Sequence, residues 1–228
     1  MLRFLAIVLL VVQALAESHP WIAEHKDQHW MERHEKLLNQ TKEHGKEAQI
    51  VFIGDSITEG WLGNGKAVWN KYYAPRHAFN YGIGGDRTEN VLWRIENKEF
   101  DGIKPKVAVL MIGINNVHYN TIEDIAQGIH TILKQLAVKM PETKVLLLAL
   151  LPRSGPIGGR AKQLNVLIKK FADDKTVHWL DMWSAFESAD GQQKTELYVA
   201  DHLHLNPSGY EVWHKTMDST LNKLIPTH

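Results

Sequence analysis

The sequence predicts an α/β protein, a three-layer sandwich with a five-stranded parallel sheet between helical layers. Short, nearly continuous apolar runs recur along the chain, amphipathic stretches of helical period separate them, and no repeat or linker interrupts the alternation. Runs that are apolar at every residue suit strands buried on both faces, and parallel neighbours need crossovers that helices supply. Of 228 residues, 44% are hydrophobic and 23% charged, which fits a folded globular chain and excludes disordered and collagen-like classes.

In chain order, the first segment stands apart. Arg3, an apolar run from Phe4 to Leu15, and the small residues of Ala14-Leu15-Ala16 read as a secretory signal cleaved after Ala16. The run is shorter than the ~20 residues that span a bilayer, so no stable membrane anchor is expected. This predicts a secreted or periplasmic protein with a single mature domain over residues 17–228. Asn39-Gln40-Thr41 would be a glycosylation acceptor in a eukaryotic secretory route. Residues of about 20–47 form an N-terminal helical extension, within which Glu24–Glu47 reads as a charged, His-rich helix. Trp30, Leu37 and Leu38 are its expected buried stripe, with its histidines mostly in solvent. His25 and His29 lie four apart without a third ligand, so no metal is expected.

Strands are expected at Gln49–Ile53, His77–Tyr81, Val107–Ile112, Lys144–Leu150 and Val177–Leu180. Helical spacing appears in Val91, Leu92 and Ile95, in Ile125, Ile129, Ile132, Leu133 and Leu136, and in Leu164, Leu167, Ile168 and Phe171. Asn206 as N-cap and Pro207 in the first turn open a closing helix with Val212, Trp213, Met217, Leu221 and Leu224.

Twenty-six basic residues balance 26 acidic ones, which excludes the charge footprint of a nucleic-acid binder. The absence of cysteine excludes disulfide frameworks, thiolate zinc sites and thiol nucleophiles. Gly60 to Lys66 matches a phosphate-binding loop until Ala67, where a hydroxyl is required, and Gly82 to Arg87 matches a dinucleotide fingerprint except at its last position. No cofactor is expected from either.

Gly54-Asp55-Ser56 directly follows the first strand, at the sheet edge where open α/β folds bind ligands. Alone, Ser56 reads equally well as a helix cap. A serine nucleophile needs a base and a group that orients the base. Asp201-His202-Leu203-His204 precedes the final helix, and three-residue spacing lets Asp201 reach the Nδ1 side of His204, leaving Nε2 for the serine. His202 is the competing base, but it is too close to Asp201 in sequence to be oriented by it. Asn80-Tyr81-Gly82-Ile83-Gly84-Gly85-Asp86 offers backbone N–H groups without an intervening Cβ, and Gly113-Ile114-Asn115-Asn116 offers a side-chain amide. Ile57 and Leu203, beside the nucleophile and the base, are candidates to border an acyl site.

The ordered blocks Gly-Asp-Ser, Gly-Ile-Gly-Gly-Asp, Gly-Ile-Asn-Asn and Asp-His-Leu-His resemble the SGNH hydrolases, also called GDSL esterases and lipases. Between about Gln49 and Tyr210, with Val91-Leu92-Trp93-Arg94 and Leu150-Leu151-Pro152-Arg153, the chain is similar to the intracellular platelet-activating-factor acetylhydrolase branch. The resemblance implies a flavodoxin-like sheet and Ser56, His204 and Asp201 as catalytic triad, with the Ser56 N–H, the Gly85 N–H and Asn115 as oxyanion donors. It further implies hydrolysis of short acyl esters through an acyl-enzyme, on a small-molecule, lipid or sugar ester, and is compatible with a homodimer. A secreted carbohydrate acetylesterase is the enzymatic alternative, and a noncatalytic binding module that keeps the fold is the other.

Overall fold

The computed structural model describes residues 19–225. The signal segment expected at residues 1–16 lies outside the described residues. Five strands, β1 (Ile50–Gly54), β2 (Ala78–Gly82), β3 (Val107–Met111), β4 (Lys144–Leu148) and β5 (Val177–Leu180), form one all-parallel sheet in the order β2-β1-β3-β4-β5. Each strand lies within two residues of its sequence expectation. Every residue of β1 and β3 is buried, as their unbroken apolar runs require.

Helices cover both faces. α4 (Thr88–Glu96), α5 (Ile122–Lys139) and α6 (Gly155–Ile168) pack side by side. α3 (Lys66–Tyr72) and the four-residue α7 (Trp183–Phe186) both pack against α8 (Pro207–Leu224). Asn206 caps α8 by accepting the Gly209 N–H at 3.0 Å. Below it Trp61, Trp69 and Tyr73 pack on Phe52 of β1, and Tyr210 and Trp213 of α8 pack on Trp61, in one aromatic cluster. Such rings bury large apolar area, so this cluster fixes α8 against the sheet.

The helical extension is α1 (Gln28–His44), followed by a 3₁₀ turn at Gly45–Glu47. It starts four residues later than Glu24 because Asp27 accepts the Trp30 N–H and caps it. Its buried residues are Trp30, His34, Leu37 and Thr41. Leu38 is therefore only partly covered, and His34 departs from the solvated role expected of it. Its Nδ1 lies 2.7 Å from the buried Glu99 carboxylate, which offsets the cost of burying a polar ring.

In a sheet of this order the chain leaves β1 in one direction and β3 in the other. The crevice opens outside the carboxyl ends of those two strands.

Candidate active site

Ser56 opens the short helix α2 (Ser56–Glu59) immediately after β1. Asp55, and not Ser56, is the N-cap: its Oδ1 accepts the Ile57 N–H at 2.9 Å. The serine hydroxyl is thereby left free, and the Ser56 N–H, in the first turn, has no intrahelical acceptor. β1 must end on glycine because a Cβ at Gly54 would stand 2.2 Å from Thr58 Oγ1 and 2.4 Å from the Met111 carbonyl of β3. The serine is therefore held close to the crevice.

His204 reaches that serine from the far end of the chain. Its Nε2 lies 2.8 Å from Ser56 Oγ, and its Nδ1 lies 2.6 Å from Asp201 Oδ2. Asp201 Oδ1 also accepts the Leu203 and His204 N–H groups at 2.8 and 2.9 Å, a local turn that three-residue spacing permits. Burial alone would raise the Asp201 pKa, but these hydrogen bonds outweigh it and hold the carboxyl low, at about 2. His202 is left-handed at φ 54° and is joined to Gln193 through its own carbonyl, 2.7 Å from Gln193 Nε2. The loop is fastened to the core: Val199 N–H donates to His204 O, and Asn64 Nδ2 donates to Leu205 O. Tyr210 of α8 donates to the Ile57 carbonyl at 2.8 Å, which ties the histidine side of the site to the serine helix.

Gly85 and Asn115 meet at the same rim. Gly85 has φ +73°, a conformation that glycine adopts without strain. Asn115 is half-buried and donates from Nδ2 to the Asp86 carbonyl at 2.9 Å. An amide carries two such hydrogens, and this bond uses one. Asn116 behaves differently. It is fully buried, accepts the Thr88 N–H at 3.0 Å and donates to Glu89 at 2.8 Å, so it braces the loop.

Ile57 and Leu203 border one narrow slot of about 10 Å³ with Met111, Ile114, Leu150, Leu151 and Pro152. That is barely the space a single water needs. A groove of about 910 Å³ along residues 117–123 and α6 shares no lining residue with it. His25 packs edge-on against Trp93, whereas the His29 side chain is 98% exposed.

A buried ionic network behind the Gly85 loop is absent from the sequence reading. Arg94, wholly buried, pairs with Asp86 at 2.9 Å and with Glu99, and it donates to the Tyr81 carbonyl. Asp86 in turn accepts Trp30 Nε1 at 2.6 Å. Burial pushes Asp86 up to about 6 against the pull of Arg94 and Trp30. The signal was present: Arg94 shares a helix face with Val91 and Ile95, and a charge on an apolar face needs partners.

Burial also raises Asp55, to about 7, assisted by the nearby Asp86. The folded chain then holds a proton there that the unfolded chain releases near the ordinary aspartate value. Stability from this group should decline as pH rises through that window to about 7. Asp55→Asn keeps the Oδ1 cap and removes the ionisation. Its unfolding midpoint, relative to the unsubstituted protein, should be higher at pH 8 than at pH 5, and an equal difference at both values would contradict the assignment.

The pattern of the GDSL-like lipase/acylhydrolase family matches residues 52–212, most of the chain. The chain belongs to that family. It is a carboxylic ester hydrolase. Over 204 residues it is 36% identical to human platelet-activating factor acetylhydrolase IB subunit alpha1, covering 87% of this chain and 85% of that protein. The rat alpha2 subunit is 35% identical over 206 residues, covering 87% and 86%. Among solved structures, a GDSL-like lipase from Bacteroides thetaiotaomicron superposes with TM-score 0.70 at 18% identity, covering 83% of this chain and 97% of that one. Axe2, an acetylxylan esterase from Geobacillus stearothermophilus, gives 0.61 at 17%, covering 80% and 97%. These structural likenesses concern the fold, and the five-stranded parallel sheet of the GDSL hydrolases is the sheet described above.

Proposed function

We propose that this GDSL hydrolase cleaves short-chain, acetyl-type carboxylic esters through an acyl-enzyme formed on Ser56. The unbroken hydrogen-bonded line from Ser56 Oγ through the His204 ring to Asp201 carries the reading. His204 takes the serine proton as Oγ attacks the carbonyl carbon, and Asp201 holds the ring and stabilises the imidazolium. The tetrahedral oxyanion lies among the N–H groups of Ser56 and Gly85 and the Asn115 amide. Collapse expels the alcohol, which takes the proton from His204. A water deprotonated by the same ring then releases the acid.

The narrow slot beside Ile57 and Leu203 supports a small acyl group. A methyl needs little room there, whereas each further methylene must displace packed side chains, at about 1 to 3 kcal/mol in selectivity. Initial rates on acetate, butyrate, hexanoate and octanoate esters of one alcohol should fall steadily with chain length. A maximum at octanoate would reject the acetyl-type reading. Leu203→Ala, at a half-buried position, should reduce the acetate-over-hexanoate preference by about tenfold or more. Ile57→Ala should act in the same direction, with an added loss of stability because Ile57 is fully packed.

For the leaving alcohol, the relatives support one class over another. The acetylhydrolase subunits named above are 36% and 35% identical to this chain over the aligned residues, which favours an acetylated lipid of the platelet-activating-factor type. An acetylated carbohydrate rests on fold likeness alone. We also infer that the protein is exported, from the apolar Phe4–Leu15 run. N-terminal analysis of material recovered outside the producing cells should begin at Glu17. Retention of residues 1–16 on a membrane-integral species would refute export by cleavage. Among the described residues no helix is long and apolar enough to cross a membrane.

A further inference from the structure

The turn that carries Gly85 is held by the N-terminal segment. Asp86 N–H donates to Ile83 O at 3.1 Å, closing a four-residue turn over Ile83, Gly84, Gly85 and Asp86. Gly85 has positive φ and Gly84 does not, which defines a type II turn. The Gly85 N–H belongs to the central peptide of that turn. Rotating this peptide by half a revolution gives a type I turn, with negative φ at Gly85 and the N–H facing the opposite way. Glycine tolerates both conformations, and the flip leaves the flanking peptides in place, so what grips those flanking groups sets where this donor sits.

Besides Arg94, which pairs with the Asp86 carboxylate, four side chains grip it. Glu59 accepts the Gly84 N–H at 2.8 Å, Asn115 donates to the Asp86 carbonyl, Trp30 donates to the Asp86 carboxylate, and Lys26 Nζ donates to the Gly85 carbonyl. Two of the four, Trp30 and Lys26, come from the N-terminal extension. Lys26 sits on an anchored strip: Glu24 N–H donates to Glu89 O at 3.1 Å, Asn90 Nδ2 donates to Glu24 O at 2.9 Å, and Asp27 caps α1. Its Nζ is the nearest heavy atom to the place a Gly85 Cβ would occupy, at 3.1 Å. The side chain is half-buried, and burial lowers its pKa although the carboxylates of Asp86, Glu89 and Asp27 oppose the shift. A lysine free to extend into solvent would avoid that desolvation.

We propose that Lys26 is a positioning residue for ester hydrolysis, clamping the Gly85 carbonyl so that the turn, and with it the Gly85 N–H, is held in place beside Ser56. The proposal rests on the reading that Gly85 donates to that oxyanion. It gives the N-terminal extension a part in the reaction while leaving the proton transfers to Ser56 and His204.

Lys26→Met keeps most of the aliphatic stem and removes the donor, and Lys26→Arg keeps a cationic donor. A misplaced catalytic group can cost up to about a hundredfold in rate, so Lys26→Met should lower kcat by roughly ten- to a hundredfold. KM and the unfolding midpoint should remain unchanged, and the loss should be equal for acetate and hexanoate esters. Lys26→Arg should recover most of the rate. Lys42→Met, which removes an exposed lysine of α1, should behave as the unsubstituted enzyme. A normal kcat for Lys26→Met overturns the clamp, as does a loss that parallels a fall in the unfolding midpoint or appears only in KM. Ser56→Ala, assayed alongside, separates the two levels. If it is inactive while Lys26→Met is normal, only the clamp fails. If it retains activity, the serine reading fails and takes the clamp with it.

Discussion

Ser56→Ala is expected to lower kcat by roughly 10⁴- to 10⁶-fold with KM almost unchanged, the largest effect of any single substitution in this chain. Alanine removes the atom that attacks in the proposed mechanism and leaves the ring-to-carboxylate bond between His204 and Asp201 in place. Residual rate would come from the oxyanion donors acting on a carbonyl attacked directly by water. His204→Ala should cost a comparable factor, because the hydroxyl 2.8 Å from its Nε2 then lacks a proton acceptor. The two losses should not multiply. A Ser56→Ala/His204→Ala enzyme should be little slower than either single variant, since groups that act as a unit are lost together. An organophosphate should label the unsubstituted chain at Ser56 and leave Ser56→Ala unmodified. A Ser56→Ala enzyme retaining more than a hundredth of the kcat would require another nucleophile.

The sheet was legible because its inner strands β1 and β3 are buried on both faces. A run such as Val107–Met111 then carries no polar residue, and its helical neighbours carry apolar residues at three- and four-residue spacing. The serine, histidine and aspartate were legible for a different reason. Asp201 and His204 make their contact within one turn, so sequence spacing is nearly spatial distance. Ser56 needed only its place at the end of an apolar run. What spacing does not convey is the partnership of distant polar groups. Arg94, Asp86 and Glu99 meet because α4 crosses behind the Gly85 loop, and His34 joins them only once α1 is docked on α4. A histidine among exposed charges reads as solvated until its helix has a neighbour. The cap at Asp55 was hidden in the same way, because either residue of Asp-Ser can cap a helix and only the backbone reveals which one does.

The two adjacent asparagines turn this distinction into an experiment. Asn116 is wholly buried and has both ends of its amide occupied by Thr88, Glu89 and Asn120. Its loss takes the acceptor from the buried Thr88 N–H, at about 1 to 3 kcal/mol of stability. Asn115 is only half-buried and, among the described residues, its side chain has a single hydrogen bond, to the Asp86 carbonyl. If its second amide hydrogen meets charge that develops only in the tetrahedral transition state, Asn115→Ala should lower kcat by about 10² to 10³ with little change in KM. Part of that loss would pass through Asp86, whose carbonyl is released and whose neighbour is Gly85. Asn115→Asp separates the direct contribution from the indirect one. It introduces an acceptor facing the Asp86 carbonyl and negative charge beside the forming oxyanion, so it should be slower than Asn115→Ala. Were Asn115 only a brace for the loop, Asn115→Ala would instead lower the unfolding midpoint and lose activity in proportion to the folded fraction, as expected for Asn116→Ala. Measuring kcat, KM and the unfolding midpoint for all three variants decides between these roles. A fully folded Asn115→Ala enzyme with normal kcat would remove the side chain from the oxyanion site and leave the backbone N–H groups of Ser56 and Gly85 to stabilise that charge.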